Sequence, residues 1–439
     1  MIRLSSMSRS ILVLSAAICA GLACAPRAEP PRASTTNEVE VEEVRAPEPA
    51  IAAKPAPQST TWSSLEIATG CAVRIAGKPA ALGTPLEWLP CADGPEGCRE
   101  LVTRSAADAL APSISVQGLA HGDQVTLAVF SFLPGLTARY VLAPRDGPPF
   151  FAIEGPREER CSLGAVGLSD DGAVVEITFD NADGYASRAY LRGPLREDPV
   201  WRRVAAVLPR REFPDFIGES AFSAGGRVVV EQNGGPLRWF DKDAKRWVEV
   251  AGSHDGWECC ADGHGDAVTF MLESIPEKVM AARLGERAHA LRSEPFDGTS
   301  PVAIDGSRAV WIEGFGRDNN NIYKRVELWA ADVTKGLALA NAVKIATLPR
   351  TTMAVPTFGG GVVVVPLQEP KDGLAVVRLD EPNDIRALKP PTGLMVERLL
   401  WIADDEIAVQ IGKGGMHVEP SQLLRIPLAS LPPMIRRTP

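Results

Sequence analysis

Positive charge is in deficit in this sequence: 46 Lys and Arg stand against 55 Asp and Glu, which leaves a formal net charge of -9. Proteins that bind nucleic acid need a basic surface to meet the phosphates, so nucleic acid is not expected as a partner. Beyond the first 23 residues the sequence also lacks a run of about 18 apolar residues, the length that a membrane-spanning helix requires. An internal membrane span is therefore not predicted.

Common catalytic signatures are missing as well. The sequence contains no G-x-S-x-G, H-E-x-x-H, G-x-x-x-x-G-K-S/T, S-x-x-K or C-x-x-C motif. Sites assembled from scattered loop residues leave no local motif, so an enzyme is not excluded. The sequence favours a protein without catalytic activity, and it predicts no cofactor.

Glycine and proline, in contrast, are abundant, with 39 and 37 residues. Both disfavour the interior of a helix, which argues against an all-helical bundle. Hydrophobic residues make up 45% of the chain and charged residues 23%, values that exclude wholesale disorder. The sequence therefore predicts a folded protein with little helix.

The N-terminus has the pattern of an export signal. Arg3 and Arg9 precede the apolar stretch Ile11–Ala23, so residues 1–23 are predicted to be a signal peptide. Cleavage by signal peptidase I after Ala25 would place Pro26 just beyond the cut, where proline is poorly tolerated. The segment GLAC, Gly21–Cys24, resembles the lipobox of bacterial lipoproteins, although Gly21 stands where a large aliphatic residue is usual. The resemblance implies a lipid on Cys24 and a membrane partner; a cleaved secretory signal is the alternative.

Residues 24–61 are predicted to be a disordered linker. Ala25–Thr60 holds seven prolines in 36 residues, no aromatic residue and the acidic run EVEVEEV. Such a segment cannot bury enough apolar surface to fold, and its prolines favour extended geometry. We therefore expect a tether between the lipid and a domain that spans residues 62–439, in the cell envelope and facing either the periplasm or the cell surface.

Six cysteines follow Cys24, an even number that suggests disulfides in an oxidising compartment. Cys91 and Cys98 flank the turn-rich segment ADGPEG and are the favoured pair. The other pairings stay open.

The body of the chain repeats a Gly/Asp turn followed by a run of β-branched and aliphatic residues. Seven copies are anchored at Val125, Val174, Val228, Val268, Val310, Val362 and Ile407. The intervals average 47 residues, the length of a four-stranded blade. Candidate strands precede and follow each copy, so the sequence predicts an all-β protein, a β-propeller in which the motif is the hairpin between the first and second strands.

Seven blades are favoured, with six or eight as alternatives. Only eight residues follow Leu431, so the last blade lacks an outer strand of its own. Ser63–Gly77 and Glu87–Cys91 have strand character, so residues 62–112 are predicted either to close the ring or to form an extra blade. One segment, Arg227–Gly252, loosely resembles a kelch blade through its paired glycines and a Trp; no residue role follows from that likeness.

Polar loops on one end of the propeller are the candidate binding surface, because function concentrates in loops on a rigid scaffold. The candidate residues are Asp180, Asp183, Arg210, Arg211, His254, Asp255, Arg317, Asp318, Lys413 and His417. We expect an envelope protein that binds a protein, peptide or glycan through these loops. A secreted hydrolase or lyase, acting on saccharides or other polymers through loop carboxylates, is the alternative.

The densest group of chemically active residues is HDGWECCADGHGD, His254–Asp266. Metal binding through His254, Cys259 or Cys260 and His264 is one interpretation. Neighbouring strand residues point to opposite faces, so Cys259 and Cys260 cannot both reach one ion unless the backbone bulges there. Structural disulfides are the preferred interpretation, a vicinal Cys259–Cys260 bridge is a lesser alternative, and no metal site is predicted.

Overall fold

The Gly/Asp turns and the apolar runs behind them form the hairpin between the first two strands of every sheet, as predicted. The computed structural model describes residues 43–45, 62–77, 88–92, 94–101, 115–121, 124–133, 137–156, 161–169, 172–180, 186–193, 200–204, 221–231, 236–253, 258–272, 277–292, 297–317, 323–333, 342–348, 353, 355–367, 373–403, 405–413 and 422–434. These residues form seven antiparallel sheets, the blades of a β-propeller. The predicted fold class is confirmed.

Five strands precede the first hairpin motif. They are β1 (Glu43–Arg45), β2 (Ser63–Ala68), β3 (Cys71–Gly77), β4 (Trp88–Pro90) and β5 (Arg99–Leu101). Blade one contains β6 (Ser115–His121), β7 (Gln124–Leu133), β8 (Thr137–Pro144) and β9 (Phe151–Pro156). Blade two contains β10 (Cys161–Ser169), β11 (Gly172–Asp180), β12 (Ala186–Gly193) and β13 (Val200–Val204).

Blades three and four have four short strands each. Blade three contains β14 (Ala221–Ala224), β15 (Arg227–Val230), β16 (Arg238–Asp241) and β17 (Arg246–Glu249). Blade four contains β18 (Glu258–His264), β19 (Ala267–Leu272), β20 (Lys278–Arg283) and β21 (His289–Ala290).

The innermost strand of blade five is divided in two, and blade seven has three strands of its own. Blade five contains β22 (Gly298–Thr299), β23 (Ala303–Asp305), β24 (Arg308–Arg317), β25 (Tyr323–Asp332) and β26 (Val343–Leu348). Blade six contains β27 (Thr357–Gly359), β28 (Val362–Pro366), β29 (Leu374–Arg378) and β30 (Ile385–Leu388). Blade seven contains β31 (Met395–Ile402), β32 (Glu406–Gly412) and β33 (Gln422–Pro427), and a short 3-10 helix, Leu428–Ser430, follows.

Strands from the N-terminus complete the last blade. β5 pairs with β33, and β4 pairs with β5, so the three described strands that blade seven has of its own gain two outer strands from the N-terminal segment. The hairpin β2–β3 pairs with β9 instead and extends blade one. Of the two predicted closing segments, only the one that contains Trp88 therefore reaches blade seven, and the interpretation as a complete extra blade is wrong.

Terminal segments also cover the edges of blades two and six. Within the predicted linker, β1 pairs with β13, with Glu43 opposite Arg202. At the other end of the chain, Pro433 forms a bridge to Arg386, and the N–H of Met434 donates to the carbonyl of Ile385 at 2.7 Å. The signal peptide, Cys24 and the rest of the predicted linker lie outside the described residues.

The core lies between the blades. The second strands are buried on both faces, so they read as continuous apolar runs and not as alternating ones; Val362, Val363, Val364 and Val365 are all at most 1% exposed. One cluster joins Ile153 of blade one to Val175 of blade two, and another joins Leu328 of blade five to Val377 of blade six. In the described part of the chain, no helix is long and apolar enough to cross a membrane.

Two disulfides fasten the N-terminal strands. Cys91 and Cys98, the pair favoured by the sequence, are bonded across the β4–β5 turn. Cys71 of β3 is bonded to Cys161, the first residue of β10 in blade two. Both bonds therefore hold the segment that precedes blade one.

Candidate functional site

Two kinds of connection emerge at opposite ends of each blade, because consecutive strands are antiparallel. The hairpins between first and second strands lie at one end, which we call the turn face. The connections between second and third strands, and those between successive blades, lie at the other end, which we call the loop face. The first strands of neighbouring blades lie side by side around the centre, for example β10 against β14 and β31 against β6.

Three predicted binding residues lie at the loop face. Asp180 is the last residue of β11, Arg317 is the last residue of β24, and Lys413 directly follows β32, so they belong to blades two, five and seven. The remaining candidates lie outside the described residues: Asp183, Arg210, Arg211, His254, Asp255, Asp318 and His417.

Arg317 belongs to a polar group that we call the blade-five rim, which also contains Tyr323, Asp297 and Glu277. The guanidinium carbon of Arg317 lies 5.9 Å from the centre of the Tyr323 ring. The Asp297 carboxylate accepts hydrogen bonds from the backbone N–H groups of Gly316 and Arg317. The rim thus presents a cation, an aromatic ring and a carboxylate at one edge of the loop face.

Glycines make room for the Tyr323 ring. A Cβ atom at Gly298 or Gly314 would overlap the ring, so the tyrosine lies directly on the backbone of β22 and β24. Burial raises the pKa of Tyr323, and the charges of Glu277 and Asp297 raise it further, against the opposite effect of Arg317. The phenol therefore stays protonated and can donate a hydrogen bond at neutral pH.

The second carboxylate of the rim comes from the neighbouring blade. Glu277 precedes β20 of blade four, and its Oε2 accepts a hydrogen bond from the backbone N–H of Thr299 in blade five at 3.0 Å. The rim therefore spans the junction of two blades, a position whose geometry depends on the closed ring.

A buried ion pair lies in the same junction. Glu313 of β24 is fully buried and accepts from Trp311 Nε1 at 2.9 Å, while Arg292 Nε lies 3.2 Å from Glu313 Oε2. The Arg292 guanidinium is also stacked over Trp329, 3.5 Å from the ring centre. These interactions fix the strand that carries Arg317, so the rim is built on a rigid element.

A second buried carboxyl lies beside the innermost strand of blade two. Glu176 accepts from Arg188 Nη1 at 3.1 Å, and Tyr140 donates its hydroxyl hydrogen to the carbonyl of Gly164 at 2.8 Å. A Cβ at Gly164 would lie 2.8 Å from Glu176 Oε1. Burial raises the pKa of Glu176 in spite of Arg188.

The segment His254–Asp266 does contain the backbone bulge that metal binding by both cysteines would need. The register between β18 and β19 shifts between Cys259 and Asp262. The side chains of Cys259 and Cys260 lie outside the described part of the structure, as does His254. Over the described residues, no three His, Cys, Asp or Glu side chains come together as a metal site would require.

Sequence reasoning identified Arg317 but missed the other members of the rim. Tyr323 is the next-to-last residue of the polar segment GFGRDNNNIYK, Gly314–Lys324, so its position in the sequence made it available as a candidate. Glu277 and Asp297 belong to connections about 20 residues apart; strand pairing within blade five places Asp297 near Tyr323, and the packing of blade four against blade five adds Glu277.

Comparison with known proteins gives similarities of fold. No protein-family model matches the sequence, and no curated protein matches it significantly. The β-propeller domain of the Trilobed protease from Pyrococcus furiosus is similar over 72% of this chain and 95% of its own, with a TM-score of 0.42 and 10% identity. Apo AztD from Citrobacter koseri is similar over 83% of this chain and 94% of its own, with a TM-score of 0.40 and 13% identity.

Two larger peptidases are similar over part of their length. A prolyl endopeptidase is similar over 72% of this chain, with a TM-score of 0.46 and 13% identity, and a puromycin-hydrolyzing peptidase of Mycobacterium tuberculosis over 58%, with a TM-score of 0.39 and 15% identity. The chain spans only 48% and 43% of these two proteins. At such identities the likeness concerns the arrangement of the strands and not their chemistry.

Proposed function

We propose that this protein is an exported, lipid-anchored binding protein of the cell envelope, which holds a protein, peptide or glycan at its loop face. The observation that carries the proposal is the blade-five rim. Arginine and tyrosine are the residues most often found at the centre of recognition surfaces, and here both lie on strands that a buried ion pair holds in place.

The chemistry of the rim suits a polar polymer. Arg317 is exposed and offers several N–H donors in a fixed plane, while Tyr323 adds a ring face and a hydroxyl donor. Asp297 already accepts two backbone N–H groups, so it holds the turn in position and balances the charge of the arginine. A ligand with carboxylate or hydroxyl groups fits this combination.

Binding is tested with arrays of peptides and of envelope glycans, probed with the purified chain carrying Cys24→Ala. We expect Arg317→Ala to weaken any specific signal at least tenfold. Arg378→Ala is the matched control, because Arg378 ends β29 at the turn face and is also partly exposed. Equal binding by both variants would contradict a ligand site at the rim.

The lipid anchor rests on the resemblance of Gly21–Cys24 to the lipobox and on the predicted tether behind it. Metabolic labelling with a fatty-acid precursor is the direct test. We expect label on the wild-type chain and none on Cys24→Ala. An unlabelled wild-type chain that is released into the medium would contradict the anchor and favour a secreted protein.

Hydrolysis of a polymer is the alternative function, and one observation favours it: Glu277 and Asp297 both act electrostatically on the same tyrosine. Two carboxylates beside a proton donor are the groups that general acid–base catalysis uses. Incubation of array ligands with the wild-type chain, followed by mass spectrometry, tests this function. If the wild-type chain cleaves a ligand and both Glu277→Gln and Asp297→Asn fail to do so, hydrolysis replaces binding as the proposed function.

A further inference from the structure

The seam between the first and last blades is closed by very little backbone pairing. Among the residues that the structure describes, β5 pairs with β33 through two residue pairs, Glu100 with Leu424 and Arg99 with Arg425. β4 adds three pairs on the outside of β5. A two-stranded hairpin is marginally stable by itself in water, so a further constraint is needed to hold β4–β5 on blade seven.

The Cys91–Cys98 disulfide supplies that constraint. It closes the turn between β4 and β5, and the backbone N–H of Cys91 donates to the carbonyl of Cys98 at 3.1 Å. The turn is tight: a Cβ at Gly94 would lie 2.8 Å from Cys98 Sγ, and one at Gly97 would lie 2.9 Å from Pro427 at the end of β33. The bonded turn is therefore shaped to lie on blade seven.

Side chains of the β4–β5 hairpin pack against blade seven on both sides of the turn. Cys98 is 5% exposed and belongs to the same apolar cluster as Ile426 and Leu428. On the other side of the hairpin, Trp88 packs edge to face on Trp401, with ring centres 5.8 Å apart, and lies under the guanidinium of Arg425. Undocking of the hairpin would expose all of these groups together.

The two disulfides differ in access. Cys71 and Cys161 are 3% and 1% exposed, whereas Cys91 is partly exposed beside the buried Cys98. Thiol–disulfide exchange requires approach of an attacking thiolate to one sulfur, so Cys91–Cys98 is the bond that a reductant reaches first.

We propose that the Cys91–Cys98 disulfide is a redox-controlled clasp that closes the propeller ring after export. In the reduced chain the β4–β5 hairpin leaves blade seven, and in the oxidised chain it docks. Clasp formation joins the two sulfurs and releases two electrons and two protons, which reduce a disulfide oxidant to its two thiols. Ring closure thus depends on an oxidising compartment, where such oxidants are present.

Tryptic cleavage after Arg99 measures docking, because Arg99 is protected only while β5 is paired. The full chain with Cys24→Ala is equilibrated in glutathione buffers of graded redox ratio, and free thiols are alkylated and counted by mass spectrometry. A bond that closes a loop of this size shifts a docking equilibrium on the order of 50-fold. We expect cleavage after Arg99 to accelerate by about that factor when Cys91 and Cys98 are reduced, while cleavage after Arg246 in β17 stays constant.

Two double variants separate the clasp from the other disulfide. Cys91→Ala/Cys98→Ala is expected to be cleaved after Arg99 at the fast rate in every buffer, and Cys71→Ala/Cys161→Ala is expected to keep the redox response. The proposal is overturned if Arg99 of the reduced wild-type chain stays protected, or if the Cys91→Ala/Cys98→Ala variant is protected like the oxidised chain. If that variant does not fold and is cleaved at all sites, the redox titration of the wild-type chain tests the proposal, through the rate of cleavage after Arg99 compared with that after Arg246.

Discussion

Asp262 of blade four accepts a hydrogen bond from the backbone N–H of Ile304 in blade five, with Oδ2 at 3.1 Å from the nitrogen. The contact belongs to a chain of interactions at the turn face. Nδ1 of His264 lies 3.9 Å from Oδ1 of Asp305, and Oδ2 of Asp305 accepts from the N–H of Gly360 in blade six at 2.8 Å. The segment that looked like a metal site therefore links three successive blades.

Replacement of Asp262 by asparagine should change how stability depends on pH. Burial raises the pKa of Asp262 to about 6, against the hydrogen bonds from Ile304 and Gly263 that lower it. An acid whose pKa is raised on folding stabilises the protein at low pH, and that contribution is lost as the pH rises from about 4 to 6. An amide does not titrate. The free energy of unfolding of Asp262→Asn should therefore rise relative to that of wild type by up to about 2–3 kcal/mol as the pH increases from 4 to 7.5. Urea unfolding at each pH measures this difference.

Asp262→Ala is the control for the hydrogen bonds themselves. It removes the acceptor of the Ile304 and Gly263 N–H groups as well as the charge, so its free energy of unfolding should lie about 1–3 kcal/mol below that of Asp262→Asn at every pH. A constant difference between wild type and Asp262→Asn across the pH range would show that the carboxyl does not titrate in this window.

The repeating hairpins were predictable because their signal is local. A turn such as Gly225–Gly226, where both residues have positive φ, followed by Val228, Val229 and Val230, specifies a hairpin with a strand buried on both faces. The pairing partner of an added edge strand is not local. The alternating apolar and polar residues of Ser63–Gly77 suit the edge of blade one and the edge of blade seven equally well. Only the complete ring determines that this segment joins blade one.

The candidate site was predictable only in part for the same reason. Arg317 stands out as a cation in a polar loop, whereas Asp297 becomes a neighbour of Tyr323 through strand pairing within blade five and Glu277 through the packing of blade four on blade five. His254–Asp266 was conspicuous by composition, but composition does not separate ligand binding from hydrogen bonds to the next blade. The backbone bulge before Asp262 directs that residue to Ile304.

Loss of the Glu406 carboxylate should destabilise the seam between blades one and seven. Glu406 accepts from Arg425 Nε at 3.1 Å, from Arg145 Nη1 of blade one at 2.8 Å and from Trp401 Nε1 at 3.1 Å. Arg425 is 6% exposed, so Glu406→Ala would leave a buried cation without its main partner. The expected loss is about 3–5 kcal/mol in the free energy of unfolding.

Glu286→Ala is the matched control, because Glu286 is an exposed glutamate in a turn of blade four and its removal should change stability by less than about 0.5 kcal/mol. Urea unfolding at pH 7 measures both. If Glu406→Ala loses as little free energy of unfolding as Glu286→Ala, then Asp146, whose Oδ1 lies 2.9 Å from Arg425 Nη1, is sufficient to balance the charge of Arg425.

Addition of one methyl group at Gly167 should disturb the centre of the ring. Gly167 lies on the innermost strand of blade two, and a Cβ there would overlap the backbone carbonyl oxygen of Ala221 in blade three. Because the obstacle is backbone, relief requires the two blades to move apart, and overpacking of this kind costs roughly 1–3 kcal/mol. Gly167→Ala should therefore lower the melting temperature measured by circular dichroism. Ala165→Ser adds one atom at an exposed position of the same strand and should leave it unchanged. Equal melting temperatures for the two variants would mean that β10 and β14 can move apart at Gly167 without loss of stability.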